Sequence, residues 1–563
     1  MFRSGFVGKK VKRFQRDEEG SLIIFSLFVF LTMIVFGGIA VDLMLYENRR
    51  THVQNSTDRA VLAAANIKQE VPAKEVVKDY LAKVGIAVDD DNIIVRQVGE
   101  APVITGRQVA VKVEAQSPTV LMDMIGINWL PYGSISSAEQ SVNDVEVSLV
   151  LDISGSMGAG SKMTNMKKAA RDFVDGVLEG AEDDRVSISL VPYSTQVSAG
   201  PELLNQLTIE HDHNFSHCVN FVEADFSTTA IQRVRPKQDE DGNVVQDSDG
   251  NPVMEPIPLS QTASFDPFSG WSTRNHQYPI CRDQSYVDIL PWSNSVTDLT
   301  DQINALTPTG NTSIDVAMKW GTALLDPSMN SALTSIEADN SSSLTIDSEF
   351  VVRPRDHTYP DVLKFIVLMT DGINTTQYQL RDEDKEGMSD VYWYRNDHWI
   401  KVGNNFWNLD DQCWHYQDRQ TCNGSRTPSE SDRMSKLAMW DDMTMAWRAY
   451  NGFYTRMSPT RARNYYEQIG AIGSYDGPRE PIYARSGNSN DDTKDKRLAS
   501  MCTTAKNAGI VVFTIGFEVT DQSADIMEAC ASSDQHFYRV TGQDIQYAFA
   551  SIKNQINQLK LTQ

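Results

Sequence analysis

The run VEVSLVLDISGSM, residues 145–157, constrains this chain more than any other segment. Its first eight residues are largely β-branched or apolar, with Leu149, Val150 and Leu151 in succession, as in a buried strand of a sheet. The run stops at a carboxylate, Asp152, with Ser154 and Ser156 directly after it and an amphipathic helical stretch from Met163 to Leu178 beyond. Open α/β sheets collect their ligands outside the carboxyl ends of their strands, and hard oxygen donors suit Mg²⁺, with Ca²⁺ or Mn²⁺ as alternatives.

Two later loops supply matching donors. Thr312 lies in TPTGNTSID, where Gly310 permits a tight turn and Ser313 opens a helical pattern that ends near Leu325. Asp371 follows the buried-strand run LKFIVLM. Two carboxylates leave a divalent ion close to neutral, with an open position that an acidic group on a partner can fill. Taken alone, D-x-S-x-S has a plainer reading, in which Ser154 or Ser156 caps the following helix. Three such loops in this order are much harder to reach by chance.

The set Asp152, Ser154, Ser156, Thr312 and Asp371 resembles the metal-dependent adhesion site of the von Willebrand factor A family, and the resemblance extends over Val145 to Leu559. It implies that the two serines and the threonine touch the metal directly while the aspartates act largely through water. It also implies an α/β, Rossmann-like fold with a doubly wound, mostly parallel sheet. VEVSLVLD, RVSISLVPY, LKFIVLMTD and IVVFTIGFE are its expected strands, and Asp544 to Leu559 its closing helix. Residues 145–559 exceed a minimal domain of this kind, roughly two hundred residues, so insertions are expected at about 198–293, 330–360 and 377–493.

At the other end, Leu22 to Val41 carries no charge over about the length needed to cross a bilayer as a helix. Arg3, Lys9, Lys10, Lys12, Arg13 and Arg16 precede it, so residues 1–21 are expected to stay in the cytoplasm and the rest to be exported. A cleaved signal peptide is the competing reading. Against it, the run is longer than a signal core, and no small-x-small site follows before Glu47 to Arg50. Gly20-Ser21 is similar to a prepilin processing site, but the fifth position of the mature helix, a glutamate in pilins, is Phe25. Residues 42–140 then read as a stalk region: an alanine-rich helix through Ala65, the alternating run VITGRQVAVKVEA as a short sheet, and TVLMDMIGI as an amphipathic helix.

This order resembles the TadE/TadG-like proteins of Flp (tight-adherence) pilus systems over about Arg16 to Ile127, and TadG-like members commonly end in a von Willebrand A domain. The resemblance implies a non-enzymatic, single-pass protein of the bacterial inner membrane with its bulk in the periplasm. Pilus-assembly or secretion proteins are its expected partners, docked through an acidic side chain that completes the metal shell. The alternative is a surface-exposed, metal-dependent adhesin; a chelatase-type subunit would be cytoplasmic, against the charge flank. The net charge of −24 and pI near 4.8 argue against nucleic acid as a partner. The chain holds no HExxH, no phosphate loop with its lysine and no activated nucleophile motif, and no small-molecule substrate is expected.

All six cysteines lie beyond the span, as exported disulfides do. Spacing alone leaves about fifteen connectivities open. The expected set is Cys502 with Cys530, as the resemblance implies, Cys413 with Cys422 in the third insertion, and Cys218 with Cys281 in the first. Zinc is a weaker reading, since no CxxC occurs and His211, His213 and His217 suit a polar loop. The third insertion carries Trp393, Trp399, Trp407, Trp414, Trp440 and Trp447, six of the chain's ten tryptophans. They read first as the core of a small lobe and second as a sugar-binding surface. In DEDGNVVQDSDGN the spacing of a calcium loop is incomplete, so two hairpin turns are expected.

Overall fold

The computed structural model describes residues 19–66, 71–98, 106–142, 144–179, 185–415, 427–449, 451, 479–482 and 493–562, apart from 240, 270–271, 340, 360–361, 381, 403 and 560. The chain divides into two compact units, residues 1–142 with 561–563, and residues 143–560.

The first unit is built on one long helix, α1 (Glu19–Ala65), whose stretch from Leu22 is long and apolar enough to cross a membrane. Past that stretch the helix turns amphipathic. Val53, Ala60, Val61 and Ala64 are buried against α2 (Ala73–Ala82) and against β1 (Ile93–Val98) and β2 (Gly106–Pro118). Alanines on this stripe let the helix lie close to the sheet. Strand β3 (Trp129–Val142) pairs antiparallel with β2 along its length, and the chain's last strand, Leu561–Thr562, adds to its far edge. TVLMDMIGI forms a single 3₁₀ turn, Met122–Ile125, in place of the expected amphipathic helix. Gly126, at φ +85°, ends it by taking the left-handed conformation that favours glycine.

The second unit contains a six-stranded sheet. In chain order its parts are β4 (Asp144–Asp152), α3 (Lys162–Leu178), β5 (Val186–Tyr193), β6 (Leu290–Ser293), α4 (Val296–Ala305), α5 (Ile314–Ala323), β7 (Val362–Thr370), α6 (Thr493–Asn507), β8 (Val511–Phe517), α7 (Asp521–Cys530), β9 (Phe537–Val540) and α8 (Asp544–Leu559). The strand order is β6-β5-β4-β7-β8-β9, parallel throughout except for β6. Neighbouring strand residues alternate between two cores. Leu149, Val367 and Phe513 pack with α3, α4 and α8, whereas Val150, Leu368 and Val512 pack with α5, α6 and α7. Strand β6 falls inside the stretch expected to be insertion. Its four residues include Pro291, which a strand tolerates only at an edge, and that is where it lies.

Between β5 and β6 the first insertion is tied down by Lys319 of α5. Its buried ammonium donates to the carbonyls of Asp225, Thr228 and Ala230 at 2.6, 2.7 and 2.7 Å. Burial pushes this lysine down to about 8. Cys218 is bonded to Cys281 within the same insertion, and Cys502 of α6 to Cys530 of α7; Cys422 lies outside the described residues. The two acidic turns are hairpin bends, in which Asp239 accepts from the amides of Asp241 and Asn243, and Asp247 from those of Asp249 and Asn251. In the third insertion Trp399, Trp407 and Trp440 are buried and Trp414 and Trp447 pack against the same small cores, while Trp393 is 41% exposed.

Where the first insertion returns, burial pushes the Asp288 carboxyl up to about 7, and Glu202 and Asp283 add to the rise while the Ser198 hydroxyl opposes it. The folded value exceeds the unfolded one near 3.9. The group's contribution to stability is therefore complete below pH 4 and is lost as pH rises through 7. Asp288→Asn should raise unfolding stability at pH 8 by up to about 4 kcal/mol and leave it nearly unchanged at pH 4. Denaturant titrations of parent and variant at the two pH values check this.

Candidate functional site

The sheet's chain order reverses between β4 and β7: from β4 the chain moves outward to β5, and from β7 it moves the other way to β8. A crevice opens beyond the carboxyl ends of the strands at such a point, and Asp152 ends β4 while Asp371 follows β7. The two carboxylates thus come from adjacent strand ends. Asp152 is fully buried. One of its oxygens accepts from the Ser154 amide at 2.8 Å and the other from the Thr370 hydroxyl at 2.8 Å. The Ser154 and Ser156 hydroxyl oxygens are 3.1 Å apart, and Ser156 donates to Asp371 at 2.6 Å. Four of the five expected ligands are therefore joined in one chain of contacts.

Thr312 arrives on the loop before α5, and backbone bonds tie that loop to the other two. The Gly155 amide donates to the Gly310 carbonyl at 2.9 Å, and the Thr375 amide to the Thr312 carbonyl at 2.9 Å. Gly310 is at φ +84°, and a Cβ there would stand 2.8 Å from the Thr195 hydroxyl, so the approach of this loop requires glycine. Thr312 is buried, and its hydroxyl has no hydrogen-bond partner among the described residues. Burial, and after it the Asp371 charge, push the Asp152 carboxyl up to about 6. Two carboxylates that repel, two serine hydroxyls and the unpartnered Thr312 hydroxyl form a donor set of hard oxygens that fits a divalent cation.

Two lysines at the site were not foreseen from the sequence. Lys162, in the first turn of α3, holds Asp371 at 2.9 Å and stands 3.8 Å from Glu518. Lys494, in the first turn of α6, is fully buried behind the site. It donates to the Ser313 hydroxyl at 2.5 Å, the Thr375 carbonyl at 3.0 Å and the Thr312 carbonyl at 3.3 Å, with Asp315 at 3.5 Å as its counter-charge. The loops bearing Thr312 and Asp371 are thereby clamped to each other. Asn374 adds a second tie, accepting from the Ile314 amide at 2.8 Å and donating to Asp495 at 3.0 Å. A cation in a helix's first turn opposes the helix dipole, and that was the available signal for both lysines.

A helical layer on each face of a mostly parallel sheet, with oxygen donors gathered where its order reverses, defines an α/β protein with a ligand crevice at the switch point. Residues 20–66 match the family described as Flp pilus-assembly TadE/G-like. No curated protein matches the chain. Among solved structures it is similar to the von Willebrand factor domain of the type V pili tip protein Mfa5 from Porphyromonas gingivalis, at 16% identity and a TM-score of 0.32 over 75% of this chain and 98% of that one. The pilus adhesin RrgA from Streptococcus pneumoniae gives 14% and 0.31 over 84% and 49%, and the PilB minor pilin from Streptococcus sanguinis 13% and 0.28 over 83% and 78%.

Proposed function

We propose that this chain is a non-enzymatic docking protein of Flp-type pilus assembly, held in the inner membrane by Leu22–Val41 and binding its partners through a metal-dependent adhesion site in a doubly wound von Willebrand A domain. Asp152, Ser154, Ser156, Thr312 and Asp371 would hold Mg²⁺. When bound, the ion supplies a positive, partly open coordination shell for an acidic side chain of a pilus-assembly or secretion protein. The observation that carries the reading is the convergence of Asp152 and Asp371 on adjacent strand ends, bridged by the Ser154 and Ser156 hydroxyls. A sugar-binding surface on the tryptophan-rich lobe is disfavoured, because that lobe packs Trp399, Trp407 and Trp440 into its own cores.

The test is recovery of envelope proteins with the detergent-solubilised full chain in Mg²⁺ and in EDTA, alongside Asp152→Asn. The reading expects partners that are lost in EDTA and lost with the variant. Identical recovery under all conditions overturns it. Lys162 offers a separate check, because its ammonium competes for Asp371 with any bound cation. Lys162→Gln should tighten Mg²⁺ binding by about 1 kcal/mol, roughly fivefold in Kd, measured by calorimetry with Mg²⁺ alone. Weaker binding would mean that Lys162 serves to position Asp371.

A further inference from the structure

Within the first unit, the loop between β2 and β3 returns to α1 at an unexpected height. Leu121 packs on Gly38, where a Cβ on the glycine would stand 2.7 Å from that of Leu121. Gly38 lies inside the uncharged run Leu22 to Val41, about 5 Å short of its end at 1.5 Å per residue. The loop therefore reaches to the depth of the last turn of the apolar run. Most of its outward side chains are apolar: Val120 is 64% exposed, Met124 75%, Ile125 46%, Ile127 39% and Trp129 56%, with Asp123 and Asn128 the polar ones among them. On α1 at the same level, Leu43 and Met44 are likewise exposed, and the first charges beyond Asp42 come at Glu47, Arg49 and Arg50.

The loop's backbone is provided for as well. Asp42, buried on α1, accepts from the amides of Val120, Leu121 and Met122 at 2.9, 2.8 and 2.6 Å. The amides of Met124, Gly126 and Ile127 bond to carbonyls within the loop, and that of Thr119 to Asn128. Non-helical backbone survives at membrane depth only when its polar groups are satisfied by protein. The one charged side chain on the tip, Asp123, accepts from the Asn128 amide group, so it does not enter the bilayer bare. Tyr46, which meets Tyr132 edge-on at 5.9 Å, and Trp129 stand one step further out, at the level where aromatic side chains gather at a membrane surface.

We propose that the loop 119–129 is a second membrane contact, inserted into the headgroup and upper acyl region of the periplasmic leaflet beside the span, with Asp42 as the bracket that fixes it there. This rests on the reading of Leu22–Val41 as a membrane span. Such a contact stops α1 from pivoting freely, because the bilayer then grips the unit at two points.

The experiment uses full-length protein in phosphatidylethanolamine and phosphatidylglycerol vesicles, carrying a nitroxide at Met124→Cys or, separately, at Met33→Cys in the middle of the span. Both positions are strongly exposed on the protein, so neither substitution disturbs its packing. The proposal expects both labels to collide more with oxygen than with a water-soluble nickel chelate, the Met124 label at the shallower depth. A lipid signature at Met33 with free nickel collisions at Met124 overturns the loop contact and leaves the anchor standing. Nickel collisions at Met33 overturn the anchor and the loop contact together. An immobile Met124 label shielded from both reagents means that protein covers the loop, a second copy or another span, and overturns the lipid assignment.

Discussion

Lys494→Met should destabilise the second unit by about 3–5 kcal/mol, the cost of leaving a buried carboxylate without its partner. Asp315 is fully buried on α5, and neither of its oxygens has a hydrogen bond among the described residues, so the Lys494 charge is what compensates it. Burial pulls the Lys494 ammonium below its usual range and raises the Asp315 carboxyl, with each charge opposing the shift of the other. The lysine also makes three hydrogen bonds that clamp the Thr312 loop to the Thr375 loop. Charge compensation and loop clamping separate in the double variant Lys494→Met with Asp315→Leu. Removing both charges should recover most of the lost stability, while Mg²⁺ affinity stays low because nothing holds the two loops together. Denaturant unfolding and calorimetry with Mg²⁺, run on both variants, read the two effects independently. Recovery of full Mg²⁺ affinity in the double variant would show that the clamp is dispensable.

These effects mark the boundary of what local sequence conveys. Asp152, Ser154 and Ser156 are legible because they are contiguous and follow an unbroken buried-strand run, and Asp371 because it ends another. The alternation of Leu149 and Val150, or of Val367 and Leu368, between opposite cores follows from strand periodicity and needs no distant information. Lys494 sits in DDTKDKR, a polar string that reads as a solvated helix start, and only its meeting with residues 312–315 buries it. Strand β6 was absorbed into the first insertion for the same kind of reason. Four residues containing a proline carry too weak a periodic signal, and its antiparallel pairing with β5 is decided across about a hundred residues of chain. The apolar spacing of TVLMDMIGI, residues 119–127, predicts a helix. That spacing is real, but only Leu121 and Met122 turn inward while Val120, Met124, Ile125 and Ile127 face outward, and Gly126 halts the turn before a helix can form.

Asp152→Asn should separate the metal site from the fold most sharply. Alanine there would strand the Ser154 amide and the Thr370 hydroxyl, at about 1–3 kcal/mol for each donor left unpaired, and would confuse the two roles of the residue. Asparagine keeps a carbonyl oxygen for one of these donors and removes only the charge. In the absence of divalent ions the variant should be as stable as the parent or more so, since the buried charge and its repulsion by Asp371, which raise the parent's carboxyl in that order, are gone. Mg²⁺ affinity should fall by about a hundredfold, close to 3 kcal/mol, because a shell of two carboxylates loses half its negative charge. Thermal unfolding of parent and variant with and without Mg²⁺ shows both at once: the parent gains stability as ligand binding requires, and the variant gains almost none. An equal Mg²⁺ shift in the two proteins would place the ion elsewhere and leave Asp152 as a structural carboxylate that orders its own loop.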